Sequence, residues 1–225
     1  MTEVKPNLMD ALTVSRVDKV VLTRHQKTDY TSSDTEEEKE RLLSYVLGEV
    51  DPPLSEEGRK GAEASRPALV KQVGESLPGQ LLVGVSSSLN RAKETLKILS
   101  PWARRCPDSR LGPPDYNAIP IAIRAWVHGE LSLLGTRRAW LRSGDFPIRL
   151  RMVSGAVQAF LCHHKATRVV VVGHSETVDL LTCILTGVSP YRFVEPQFHA
   201  ETGELVVLER DPDDKVHQYF SITSQ

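Results

Sequence analysis

The sequence predicts an α/β fold, a three-layer α/β/α sandwich with a mainly parallel central sheet. Two observations carry this. Short apolar runs rich in β-branched residues, Val20-Val21-Leu22, Leu81-Leu82-Val83-Gly84-Val85 and Val169-Val170-Val171-Val172, alternate with longer segments of helical pattern. Such runs read as strands buried on both faces, and their alternation with helices implies parallel crossovers. The second observation is that three of these runs end in polar residues: Arg24-His25, Ser86 to Arg91, and His174. In a parallel sheet the carboxyl ends share one edge, where open α/β sheets place their ligand crevices.

Residues 1–17 read as a loose lead-in, with a turn of helix around Leu8 to Leu12, to a single domain spanning 1–225. Strand one covers Asp18 to Thr23. A polar loop, Asp29 to Asp34, follows the Arg-His pair. Asp34 or Thr35 then caps a helix in which Glu36, Glu37 and Glu38 precede Lys39 and Arg41, the order the helix dipole favours. This charge run is a solvated helix face; a lid over the Arg-His pair is the sharper alternative. Asp51-Pro52-Pro53 breaks the chain, and Ser55 caps a second helix running to about Gly74. After the second strand, Ser86-Ser87-Ser88 leads into a helix beginning near Asn90. Residues 101–118, rich in Pro, Gly and charge, read as surface loop, and Ile119 to Ile123 as a short strand. Helices are expected over Gly135–Leu141 and from Phe146 to about His164. The pair His163-His164 complements the helix dipole, with no third ligand nearby for a metal. A helix follows His174 and stops at Gly187. Glu204–Glu209 and Val216–Ile222 read as final strands joined by a turn at Asp211–Asp214.

Composition excludes several classes. Of the 225 residues 40% are hydrophobic and 25% charged, ordinary for a soluble protein. A formal net charge of −1 supplies no basic field for nucleic acid or an anionic membrane, so neither partner is expected. No apolar run has the length of a membrane span, and the polar start, Met1 to Asp18, holds no signal core; a cytoplasmic location is expected. Cys106, Cys162 and Cys183 are widely separated, without CxxC or zinc spacing, and read as reduced thiols. No metal or other cofactor is expected.

Any anion site must therefore be built locally, and the strand ends supply the parts. A neutral imidazole such as that of His25 can attack phosphorus, and an adjacent guanidinium such as that of Arg24 can hold two phosphate oxygens in its fork. Hydroxyls at Ser86–Ser88 before a helix N-terminus form an anion cradle, with Arg91 in the first turn.

These residues resemble the histidine phosphatase superfamily, in its phosphoglycerate-mutase-like branch. The matching stretches are Leu22-Thr23-Arg24-His25, Pro53-Leu54-Ser55-Glu56-Glu57-Gly58, Val85 to Thr95, and Val172-Gly173-His174-Ser175, over about residues 18–210. The resemblance implies that His25 is the nucleophile that becomes phosphorylated. Arg24, Arg91 and His174 clamp the phosphoryl oxygens, His174 being most useful when protonated beside the dianion. Thr28 and Ser86 or Ser87 add hydrogen bonds. The chain departs from the family at three places. Gln26 stands where the family usually has Gly, and is expected to shape the pocket floor or offer its amide. Lys27 stands where an acid is common; an exposed lysine is the plainer reading, contact with a second anionic group on the substrate the sharper one. Ala125 occupies the place of the usual acid-donor glutamate. Either the substrate needs no acid, as phosphohistidine and acyl phosphates do not, or another group serves: Glu130, the favoured one, Glu176, His128 or Asp29.

The function implied is a metal-independent phosphohydrolase acting through a phosphohistidine on a small phosphorylated molecule or a phosphoprotein. A scaffold relaxed toward binding or turned to other chemistry is the alternative. A remote one is a serine hydrolase, with Ser175 in a Gly173-His174-Ser175 elbow and Asp211 and His217 as partners. Thr177 in place of the closing Gly, and the unexplained Arg24-His25 and Arg91, count against it.

Overall fold

The computed structural model describes residues 15–30, 34–74, 81–162, 166–210 and 219–224. Its centre is one six-stranded sheet of β1 (Lys19–Arg24), β2 (Leu81–Ser86), β3 (Arg104–Pro107), β4 (Ala166–Gly173), β5 (Leu205–Arg210) and β6 (Phe220–Ser224). The strand order is β3-β2-β4-β1-β5-β6. The pairs β1–β4, β2–β4 and β2–β3 are parallel, while β5 runs antiparallel to both β1 and β6. The carboxyl ends of β1, β2 and β4 thus lie side by side, as the sequence predicts.

Alternate residues of the strands feed two cores. Val20, Leu22, Val83, Val85, Val169 and Val171 pack with α6 (Asp145–Leu161) and α7 (Ser175–Leu185) on one face. Val21, Leu82, Val170 and Val172 pack with α2 (Glu56–Val73) and α3 (Asn90–Leu99) on the other. This period-2 division is why the strands read as unbroken apolar runs. A third cluster stands apart at the carboxyl edge. There Leu42 and Leu43 of α1 (Glu36–Val46) meet Ile123 and Val127 of α4 (Pro120–Val127).

The helix starts follow their caps. Thr35 forms a capping box with Glu38, and Ser55 accepts from the Gly58 N–H at 3.0 Å. Two expectations are corrected. Ile119–Ile123 is not a strand; Pro120 opens α4, its fixed φ suiting the first helical position, and a short apolar run does not by periodicity tell strand from helix. Within 101–118, Arg104–Pro107 forms edge strand β3 on β2. Its charged sequence, with a terminal proline, is usual for an edge and hides it from pattern reading. The expected helix over 135–141 begins earlier, as α5 (Leu133–Leu141) capped by Ser132. The turn near Leu8, the pair His163-His164 and the turn at 211–214 fall outside the described residues. Among the described residues, no helix is long and apolar enough to cross a membrane.

Candidate active site

The sheet edge assembles the polar residues through backbone bonds. The His25 N–H donates to Gly173 O at 3.0 Å and the Ser87 N–H to Val172 O at 2.9 Å, so the three strand ends are locked to one another. His174 is the N-cap residue of α7, and Arg91 lies in the first turn of α3. The segment behind His25 is braced by the Leu54–Gly58 stretch. Ser55 donates from its backbone to Lys27 O at 3.0 Å, and a Cβ on Gly58 would lie 2.2 Å from that same carbonyl. Glycine at 58 is thus a requirement of close approach.

His25, Arg91 and His174 are 4%, 3% and 4% exposed, and the two imidazoles meet edge to face with centroids 5.0 Å apart. His25 Nδ1 lies 2.7 Å from Gln26 O. A carbonyl only accepts, so Nδ1 carries the proton and Nε2 keeps its lone pair. Burial, then the Arg91 charge, lowers the His25 pKa to about 3, against the opposing pull of the Gln26 bond. The imidazole is therefore neutral at physiological pH. His174 Nε2 contacts Ser87 Oγ at 3.0 Å. Its pKa is held well below the ordinary value by burial, then by His25, Arg91 and Arg24, so it too is neutral among these groups. Arg91 donates to Asp51 Oδ1 at 3.1 Å, and Asp51 also accepts from the Asn90 N–H at 2.8 Å. The Nε atoms of Arg24 and Arg91 are buried with no hydrogen-bond partner among the described residues.

Above this charged floor is a cavity of about 260 Å³. Leu42, Tyr45 and Val46 of α1, Ile123 and Trp126 of α4 and Leu133 of α5 form most of its wall. α1 thus combines both sequence readings: its acidic first turn is solvated, and its other end covers the Arg-His pair. Tyr45 reaches down from the roof to the floor. Its hydroxyl lies 3.2 Å from His25 Nε2, and the Arg91 guanidinium sits over its ring at 4.5 Å.

Arg24, His25, Arg91, His174, Ser175 and Glu176 all line the cavity. The other sequence candidates do not. The Gln26 side chain is turned away from it, against the backbones of Gly61 and Gly203, and a Cβ on either glycine would clash with its amide. The glutamine therefore packs behind the site and does not shape its floor. Lys27 is exposed and pairs with Glu57 at 2.6 Å. Ser86 is buried in β2, and Ser87 is the serine that meets His174. Thr28 lies beside the Tyr45 hydroxyl and favours the charged form of that phenol. Ala125 and Glu130 line a separate shallow cleft with Ile121 and Leu131, because α4 turns Ile123 and Trp126 toward the cavity instead. His128 lies 3.8 Å from Glu36, and Asp29 is exposed.

Of the four acid candidates only Glu176 reaches the cavity. Burial and this carboxylate push the Tyr116 pKa well above the ordinary value, and Glu176 lies 3.5 Å from Arg137 Nε. Arg137 Nη2 also donates to Ser175 Oγ at 2.8 Å and to Asp179 at 2.5 Å. The Ser175 hydroxyl is thus held by a cation; Asp211 and His217 lie outside the described residues. Sequence reading missed Tyr45, Asp51, Tyr116 and Arg137. They come from a helix end, a proline-flanked break, a 3-10 turn and the middle of a helix, with no motif to mark them. Among the described residues no group of three or more His, Cys, Asp or Glu side chains is placed to hold a metal.

Residues 20–106 match the sequence model of the histidine phosphatase superfamily (branch 1). No curated protein matches the sequence. Several solved structures share the fold. YhfR of Bacillus stearothermophilus is 19% identical, with 92% of this chain and 96% of that one covered, at a TM-score of 0.61. The alpha-ribazole phosphatase of Shigella flexneri is 14% identical, covering 91% and 94%, also at 0.61. The mycobacterial glucosyl-3-phosphoglycerate phosphatase is 21% identical, covering 92% and 97%, at 0.53. The chain thus carries the histidine phosphatase fold, with the superfamily's sequence signature in residues 20–106.

Proposed function

We propose that the protein is a phosphohydrolase in which His25 Nε2 takes the phosphoryl group from a small phosphate monoester and then yields it to water. The observation that carries this reading is the His25 tautomer. Nδ1 is spent on Gln26 O, so the lone pair on Nε2 faces a cavity floored by two arginines. The nucleophile is neutral without any base to remove a proton, because burial and Arg91 keep it so.

Arg24 and Arg91 supply what a transferring phosphoryl group requires. Their buried, unpartnered Nε atoms are donors in search of an acceptor, and an anion between them satisfies both. In a loose transition state negative charge spreads over the three equatorial oxygens, and fixed cations stabilise it without reorganising. His174 is neutral because of burial, the two arginines and His25. A bound dianion opposes the influence of those cations and favours the imidazolium, giving a further donor to the phosphoryl oxygens. The apolar wall of Leu42, Val46, Ile123, Trp126 and Leu133 favours a substrate whose organic part is apolar.

The test is hydrolysis of a panel of alkyl phosphates, aryl phosphates and phosphohistidine, with wild type and His25→Ala in parallel. Turnover that disappears in the variant is expected. Undiminished turnover by His25→Ala overturns the reading.

A further inference from the structure

The missing acid has a structural answer in the roof. Ala125 and Glu130 sit in another cleft, and Glu176 is paired with the Arg137 guanidinium at 3.5 Å, which favours its charged form over an acid with a proton to give. The Tyr45 hydroxyl, in contrast, touches the reacting nitrogen itself.

The direction of that contact follows from its neighbours. His25 Nδ1 donates to Gln26 O, so Nε2 can only accept, and Tyr45 is the donor. The phenol has one proton, and it is directed at Nε2; Thr28, beside the hydroxyl, favours the charged form of the phenol. Thr28 in turn accepts from the Tyr30 N–H at 3.4 Å. A donor that reaches the lone pair of Nε2 stands on the side from which phosphorus must approach. An entering phosphoryl group takes the place of this hydroxyl on the lone pair and pushes it outward along the same line, which is the leaving-group side of an in-line transfer.

Resting on the phosphohistidine reading, we infer that Tyr45 is the general acid, delivering its phenolic proton to the departing ester oxygen. As the His25 Nε2–P bond forms and the P–O bond breaks, the bonding pair goes to the alcohol oxygen. The Tyr45 proton follows it, and the alcohol leaves. The resulting tyrosinate lies under the Arg91 guanidinium, which stabilises its charge. In the second half, water attacks phosphohistidine, Tyr45 recovers a proton from that water, and inorganic phosphate and neutral His25 are released. Burial raises the Tyr45 pKa above the ordinary phenol value, against the pull of Arg91 and Arg24, but an alkoxide is a far stronger base than a phenolate, so the transfer still favours departure of an alkyl ester's alcohol. It brings little for an ester whose phenolate leaves unaided.

Tyr45→Phe keeps the ring under Arg91 and removes only the hydroxyl. The experiment compares kcat for hexyl phosphate and 4-nitrophenyl phosphate in wild type, Tyr45→Phe and His25→Ala. Tyr45→Phe is expected to lose about 10²-fold or more on the hexyl ester and to stay within about 3-fold on the nitrophenyl ester. His25→Ala is expected to lose both. An equal loss on both esters in Tyr45→Phe makes Tyr45 a merely structural residue and overturns the proposal. So does an unchanged rate on hexyl phosphate, or a wild type that turns over only the nitrophenyl ester. Those outcomes leave His25 standing as nucleophile. Survival of turnover in His25→Ala, or no turnover of either ester by wild type, overturns both readings.

Discussion

The floor and the roof of the cavity are built by different physics. The floor is a set of strand ends and helix N-termini. Its charged and imidazole side chains are fixed by backbone bonds between β1, β2 and β4 and by the main sheet cores beneath. The roof is a small apolar cluster of its own, Leu42, Leu43, Ile123 and Val127, holding α1 against α4 above the edge. Chemistry placed on the floor inherits the rigidity of the sheet. Selectivity and the supply of a leaving-group proton are placed on the roof, where side chains change without disturbing the sheet. This division explains how the chain keeps Arg24, His25, Arg91 and His174 while the usual acid position holds Ala125.

Breaking the floor should have the largest effect. Arg91→Ala removes a buried cation from beside His25, and with it a donor to the phosphoryl oxygens. A loss of about 10²–10³-fold in kcat is expected, as for removal of one preorganised donor from a transition state. Steady-state kinetics against Arg91→Lys, which keeps the charge but not the fork, measures how much of this is geometry.

The roof should answer in stability as much as in rate. Leu42→Ala opens the α1–α4 cluster, and a loss of about 2–3 kcal/mol is expected from the range for buried leucines, toward its lower end because the cluster is small. Chemical denaturation measures it. Activity on an apolar ester should fall more than activity on a small one; equal falls would mean that the wall does not select.

Acid sharpens the contrast again. His25 has an ordinary pKa of 6.5 when unfolded and about 3 when folded, and His174 is lowered as well. Between these values the unfolded chain binds protons that the folded floor refuses. Stability is therefore complete above about pH 6.5 and is lost as pH falls toward 3, at up to ~1.4 kcal/mol per pH unit for each group. Thermal melts of wild type and His174→Gln across that range test this, the variant having the shallower slope.

The smallest effect is expected at Glu130. Its cleft is separate from the cavity, so Glu130→Gln should change kcat by less than about 2-fold, within the range for a surface change away from a site.

The same division decides what could be read from the sequence. Floor residues follow strand runs directly, so the order of elements and the parallel register bring Arg24, His25, Ser87, Arg91 and His174 together. Roof residues come from helices whose rotation about their own axes sequence pattern does not fix. Ala125 against Ile123 and Trp126 shows the consequence, since a small change in helix phase sends the expected donor position to another cleft. Tyr45 lies near the end of a charged helix, and nothing in its neighbourhood marks it as a group that touches His25. Gln26 directly follows His25 and so reads as a floor residue or as an amide offered to a ligand. The β1 exit turns it toward Gly61 and Gly203, whose lack of side chains makes room for it.

The most direct test of the account is to quench the enzyme in alkali during turnover of 4-nitrophenyl phosphate and to locate the phosphoryl group by fragmentation mass spectrometry. Phosphohistidine survives alkali, and the account predicts a phosphoryl group on His25 of wild type and none in His25→Ala. A phosphoryl group found on another residue, or turnover with no phosphorylated enzyme at all, would contradict it.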